Sequence, residues 1–182
     1  MKTDARVRYT RMIIQHTFLE LLKEKPLAKI TVKEICEIAE INRTTFYKHY
    51  RDPYDLLEQL ELEAIHGLLS IIEDVRDKDL AQILLPILCA IQKNRVLFCS
   101  LTSAQNDKSF LYRLSTCCFR KICELSSDNP DGGDASPNFV LHFSYIAGGI
   151  GSVIEYWLRS GMKESPETIA EHLQRFTLSV TE

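Results

Sequence analysis

Glycine and proline are scarce in this chain of 182 residues, seven and six respectively, and its apolar residues run in long, weakly punctuated stretches. A small β-sandwich, which needs turn signals at roughly ten-residue spacing, is therefore disfavoured, and helices are expected. No window reaches the roughly 18 uninterrupted apolar residues of a membrane span. The charged opening MKTDARVRYTRMIIQ is followed by no apolar signal core. No membrane partner and a cytoplasmic location are expected. The six cysteines (36, 89, 99, 117, 118 and 123) include no CxxC and no Cys/His spacing of zinc type, so buried free thiols are expected, with the adjacent Cys117 and Cys118 the one place a redox or metal role would sit. His16, His66, His142 and His172 form no HxxxH or HExxH group, Ser144 and Ser152 lack a GxSxG context, and Gly148, Gly149 and Gly151 follow no strand. No catalytic residue, metal or cofactor is expected.

What is present is an ordinary globular composition, 45% hydrophobic and 26% charged, enough for a sizeable core. The net charge of −3 conceals an asymmetry. Residues 1–55 carry eleven Lys/Arg against eight Asp/Glu, whereas the rest of the chain carries eleven against seventeen. A small basic head on a larger acidic body points to an anionic partner for the head alone.

Periodicity predicts a first helix over about 7–25, with Ile14, Phe18, Leu21 and Leu22 on one stripe and Pro26 as the stop. Thr31-Val-Lys-Glu34 reads as a capping box for a short second helix, whose apolar face is Val32, Ile35, Cys36 and Ala39. Asn42 offers the N-cap of a third helix over about 43–50. Asp52, Pro53 and Asp55 suit the start of a fourth helix reaching about residue 72. Further helices are expected near 80–93 (bent at Pro86), 94–103, 107–126, 139–160 and 166–180, with a flexible loop at about 126–138. The fold class is all-α, divided into residues 1–52 and 53–182.

Two short helices joined by a tight turn, the second cationic and aromatic on one side, describe a helix-turn-helix. On the third helix only Phe46 and Tyr50 fall on a face that a core needs. The remaining two-thirds, roughly, presents Arg43, Thr44, Thr45, Tyr47, Lys48 and His49 and no acid. Such a row of donors fits phosphates and the acceptor-rich edges of guanine in a major groove.

The run Ile30-Thr-Val-Lys-Glu-Ile35, then Ala39-Glu-Ile-Asn-Arg-Thr-Thr-Phe-Tyr-Lys-His-Tyr50, then Asp55-Leu-Leu57 closely resembles the DNA-binding domain of TetR-family transcriptional regulators. The Phe-Tyr-x-His-Tyr ending is its most specific part, and the resemblance covers about residues 8–60. Gly148-Gly-Ile-Gly151 through Glu155-Tyr-Trp-Leu158, and Gly161 to Glu167, resemble the end of the regulatory domain in one branch of the family. The resemblance implies a three-helix DNA-binding domain followed by a helical ligand-binding and dimerisation domain. It also implies phosphate contacts from Thr31, Tyr47 and His49, and base or backbone contacts from Arg43, Thr44, Thr45 and Lys48. Two positions depart from the pattern. Glu40 stands where glycine is usual in the turn, and Pro53 replaces a lysine near the start of the fourth helix, leaving Arg51 as a substitute phosphate contact.

Gln82, whose carbonyl Pro86 leaves without its helical donor, is expected to border an effector cavity, with Phe98, Cys99, Phe110, Tyr112 and Phe119 as further candidate lining. Phe143, Ile150, Ile154, Trp157 and Phe176 are candidates for a twofold dimer interface, as the resemblance implies. The expected function is a sequence-specific, homodimeric regulator of double-stranded DNA, a repressor released by a small molecule. The alternatives are an activator, a regulator answering to a protein partner, or a helical enzyme or scaffold that binds no DNA.

Overall fold

A computed structural model describes residues 2–72, 78–102, 109–126 and 137–181. These residues are helical throughout, with no strand among them: α1 (Lys2–Glu24), α2 (Val32–Ile38), α3 (Arg43–Tyr47), α4 (Pro53–Leu69), α5 (Leu80–Lys93), α6 (Arg95–Leu101), α7 (Ser109–Ser126), α8 (Pro137–Arg159) and α9 (Pro166–Thr181). A 3-10 turn, Leu27–Lys29, follows Pro26. The all-α expectation is met, and α5 occupies its expected span. Most of the loop expected at 126–138 lies outside the described residues.

The chain packs as two units, Met1–Ala64 with Cys99–Asp107, and Ile65–Phe98 with Lys108–Glu182. The packing thus changes from one unit to the other inside α4, between Ala64 and Ile65. Leu56, Leu57 and Leu60 of α4 are buried with the first unit, alongside Ile14, Phe18 and Leu22 of α1, Ile35 and Cys36 of α2, and Phe46. Within that unit α1 packs on α2 and α2 on α3. The buried Ser100 hydroxyl donates to the Leu19 carbonyl at 3.3 Å and ties the 99–102 segment to α1.

In the second unit α5 packs along α9 and α7 along α8. Gly151 is what brings α7 and α8 together, because a Cβ there would lie 3.0 Å from the Ser115 hydroxyl and 3.5 Å from the Leu111 carbonyl. Gly148 and Gly149 differ: a Cβ at either meets nothing within 4 Å. The α8–α9 turn is held by Met162 N–H donating to the Trp157 carbonyl and by the Trp157 indole donating to the Glu164 carbonyl, each at 2.9 Å. Gly161 takes φ +88° there, the left-handed conformation that ends many helices.

Of the described cysteines none is in a disulfide. Cys36 and Cys118 are buried as expected, but Cys89 is exposed, a correction that follows from its place on the outer face of α5. Burial pushes the Cys118 thiol up to about 12, which removes it from thiolate chemistry near neutral pH.

Gly151→Val should lower stability by roughly 1–3 kcal/mol through overpacking against Ser115 and the Leu111 backbone. Urea unfolding checks it. An unchanged midpoint would show that α7 and α8 tolerate a wider spacing.

Candidate nucleic-acid interface

The first unit presents a short helix whose placement is dictated by caps. Thr31 starts α2, its hydroxyl accepting the Glu34 N–H at 3.3 Å. The reciprocal half of the expected capping box is absent: the Glu34 carboxylate pairs with Lys25 instead, because that ammonium lies within reach and is the stronger partner. At the end of α2, Ala39 N–H donates to the Ile35 carbonyl at 2.9 Å and Ile41 N–H to the Cys36 carbonyl at 3.0 Å. Glu40 between them sits at φ +53°, so the residue replacing glycine does adopt the left-handed conformation. Asn42 then caps α3, its side-chain oxygen accepting from Thr45 N–H at 2.7 Å and from the Thr45 hydroxyl at 2.8 Å.

Helix α3 spans only five residues, Arg43–Tyr47, three fewer than expected. Its last turn tightens as His49 and Tyr50 both donate to the Phe46 carbonyl. The two anchors are as read from the sequence: Phe46 is fully buried, and Tyr50 is 2% exposed. Arg43, Thr44, Tyr47 and Lys48 are exposed, and His49 and Thr45 are half-buried. Tyr47 stands edge-on to Phe46, with ring centroids 5.8 Å apart. Thr31 is also exposed. The structure therefore brings the expected DNA-facing residues of α3 to one surface, with one change: the Thr45 hydroxyl donates to the Asn42 cap and keeps only its lone pairs for an outside partner. Burial, followed by the charges of Arg11 and Lys48, lowers the His49 pKa, which leaves a neutral ring near pH 7.

Asp52 caps α4 by accepting from Tyr54 and Asp55 N–H at 2.8 and 2.9 Å. Asp55 turns back to accept the Arg51 backbone N–H at 2.8 Å and the guanidinium at 3.0 Å. The backbone hydrogen bond from Arg51 and then the side-chain bonds hold the Asp55 carboxyl below its usual range. The Arg51 side chain remains 79% exposed, so its other donors face solvent. Sequence reading passed over Arg11, Gln15 and Glu63, which form a polar cluster with Tyr50. Single residues separated by up to 52 positions leave no local pattern to find.

The six expected pocket residues do not converge. Gln82 and Leu85 line a groove of about 510 Å³ between α5 and α9, which also meets Glu171, Gln174 and Arg175. Phe119 lines a separate, apolar cavity of about 30 Å³ with Leu84, Ile87, Ser115, Cys118 and Ile154. Phe98 and Phe110 are buried against each other, centroids 6.3 Å apart. Tyr112 is about half exposed and Cys99 half-buried, and neither borders these cavities.

The expected dimer face also needs correction. Trp157 is fully buried and Ile154 is 4% exposed inside their own unit, so these large apolar residues fill the core and have no surface for a second chain. Ile150 is buried at the floor of a groove of about 420 Å³ between α8 and α9, rimmed by Tyr145, Gly148, Gly149 and Phe176. The Phe143 side chain lies outside the described residues. Phe176 is 49% exposed, as an interface needs. The outward stripe of α8 is Leu141, Tyr145, Gly148, Gly149, Ser152 and Tyr156.

A helix-turn-helix unit joined to a second, larger helical unit defines a class of two-part transcriptional regulators. Residues 78–179 match the TetR_C_8 family model, described as a transcriptional regulator C-terminal region, and the chain belongs to the TetR family of transcriptional regulators. It is 23% identical over 169 residues to the uncharacterized HTH-type transcriptional regulator YxbF of Bacillus subtilis (strain 168), a match covering 87% of this chain and 42% of the relative. The chain thus spans about two-fifths of the length of that curated relative. A TetR transcriptional regulator from Streptococcus agalactiae 2603V shares the fold with a TM-score of 0.67 at 23% identity, covering 97% of this chain and 98% of that one. The dihydroxyacetone kinase operon activator DhaS does so with a TM-score of 0.62 at 20% identity, covering 93% and 94%.

Replacing Glu40 by Gly should raise stability by roughly 0.5–1 kcal/mol, since the left-handed strain of about 1–2 kcal/mol outweighs the added freedom of glycine in the unfolded chain. Thermal and urea midpoints read this directly. A lowered midpoint would mean that the Glu40 side chain contributes more than its backbone strain costs.

Proposed function

We propose that this protein is a sequence-specific DNA-binding regulator that acts as a twofold dimer on a palindromic operator. The observation that carries the reading is the exposed face of α3. Two aromatic residues fix the helix, while Arg43, Thr44, Tyr47 and Lys48 stand outward, with His49 half-buried beside them and no carboxylate among them. Neither Arg43 nor Lys48 has a side-chain hydrogen bond or ion pair among the described residues. Unpaired cations on a convex helix suit phosphates and guanine edges, and serve no purpose within the fold.

What supports a dimer is that five helical residues read too few base pairs for a specific site, whereas a twofold pair doubles them. The outward stripe of α8, with the α8–α9 groove beside it, is the apolar surface that suits a second copy. Its open glycines allow the partner's side chains to seat close to the α8 backbone. Repression by operator occupancy, relieved by a small molecule, is the mode we infer, and the groove beside Gln82 offers that molecule a place. Activation is the second reading, favoured by the likeness of the fold to an operon activator.

Selection of bound sequences from a random duplex library tests the DNA reading. Recovery of a palindrome supports it, and no enrichment over several rounds refutes it. With that operator in hand, Tyr47→Phe and His49→Ala should weaken operator and random DNA by similar factors, as phosphate contacts do. Arg43→Ala or Thr44→Val should cost roughly 1–3 kcal/mol on the operator and much less on random DNA. If Arg43→Ala lowers both equally while Tyr47→Phe alters base preference, the roles are reversed.

Gly149→Arg, which places a charge in the open α8–α9 groove, should convert the dimer to a monomer without unfolding either unit. Sedimentation velocity at micromolar concentration decides. A wild-type monomer with and without DNA, or a variant that still dimerises, overturns the assignment of this face.

A further inference from the structure

The recognition helix is five residues long, and over residues 43–50 only Phe46, within the helix, and Tyr50, four residues further on and just past its end, are buried. Two anchors define a line and leave rotation about that line to be stopped by whatever holds their tips. The Phe46 ring is apolar and packs by shape alone. Tyr50 carries a hydroxyl, and that oxygen accepts from two donors on α1: the Arg11 Nε at 3.4 Å and the Gln15 Nε2 at 3.2 Å. Arg11 and Gln15 are four residues apart and so share one face of α1.

Both donors are held in turn by one carboxylate on α4. The Arg11 guanidinium pairs with Glu63 Oε1, and Gln15 Nε2 lies 3.2 Å from Glu63 Oε2. The four residues close a cycle in which each has two partners. We propose that Arg11, Gln15 and Glu63 are positioning residues for DNA recognition, a latch that fixes the rotation of α3 through the Tyr50 hydroxyl without touching DNA. The proposal rests on the DNA-binding reading and adds to it a control point at Glu63, two residues before α4 enters the second unit at Ile65.

Since sequence is read by base contacts, which demand one angle of the helix in the groove, and phosphate contacts carry no sequence information, loosening the latch lowers discrimination first. The cluster also acts as one unit, so breaking it at either end costs nearly the same as breaking it at both.

The variants Arg11→Met, Glu63→Ala, Glu63→Gln and the Arg11→Met/Glu63→Ala double are compared with the wild type in two measurements. The first is hydrogen exchange of the free protein over residues 43–50, which needs no DNA. Exchange there should quicken by about three- to tenfold in Arg11→Met and Glu63→Ala, and less in Glu63→Gln, whose amide oxygen still accepts a bond. The second is binding to the duplex selected above and to random duplex across a salt series. Operator affinity should fall about tenfold, random-duplex affinity less than about twofold, with the salt slope unchanged and the double variant no worse than the singles.

Unchanged exchange in Arg11→Met overturns the latch whatever the DNA result. A salt slope reduced by about 1, with operator and random duplex weakened equally, makes Arg11 a phosphate contact and also overturns it. A wild type that selects no duplex defeats the DNA-binding reading, while the exchange measurement still reports separately on the latch.

Discussion

Everything functional in the first unit depends on the burial of two aromatic side chains one helical turn apart. An isolated helix of five residues has no stability of its own, since nucleation fixes several dihedrals before hydrogen bonds offset the cost. Helix α3 exists because Phe46 and Tyr50 are buried in a core built by Ile14, Phe18, Ile35 and Leu56, and because Asn42 satisfies its first amides. Those same two anchors occupy so narrow a face that the rest of the helix is surplus to packing. A surface free of structural duties can be filled with donors, which is what Arg43, Thr44, Tyr47 and Lys48 are.

This division of labour also explains the turn. For α3 to leave α2 at a sharp angle, one residue must take a positive φ, and the sequence places Glu40 there, at +53°. The strain, of order 1–2 kcal/mol, is tolerated because the hydrogen bonds from Ala39 and Ile41 close the end of α2 on either side. The caps at Asn42 and Asp52 act in the same sense, fixing where each helix begins so that its exposed face is set by register.

The fold was largely legible in the sequence because its signals are local. Thr31, Asn42, Asp52 and Pro53 each act within four residues, and the stripe Ile14, Phe18, Leu21, Leu22 needs only a period. The misjudged features were set by partners distant in sequence. Trp157 and Ile154 look like interface residues on a helical wheel, yet they are buried in their own unit, since a wheel separates apolar from polar faces and does not say which apolar face meets which neighbour. The exposure of Tyr145 and Tyr156 went unread for the same reason. The candidate lining was divided in the same way: Gln82 borders a groove, Phe119 a separate small cavity, and Phe98 and Phe110 pack on each other. Glu34 kept its place in a capping pattern but gave its carboxylate to Lys25, a competition between charge-assisted and neutral partners that spacing does not reveal.

The three glycines of α8 show how one residue type serves opposite ends. Gly151 is a contact residue, present because Ser115 and the Leu111 carbonyl occupy the space a side chain would take. A Cβ at Gly148 or Gly149 would meet nothing within 4 Å among the described residues, so these glycines weaken the helix by up to about 1 kcal/mol each relative to alanine without being needed for a close approach there. In a lone subunit that loss would be gratuitous. It becomes intelligible if a second chain approaches the α8 backbone at these positions, where Leu141, Tyr145 and Tyr156 already leave large apolar area exposed. The stability deficit of one helix and the exposed area beside it are thus the two observations behind the dimer face proposed above.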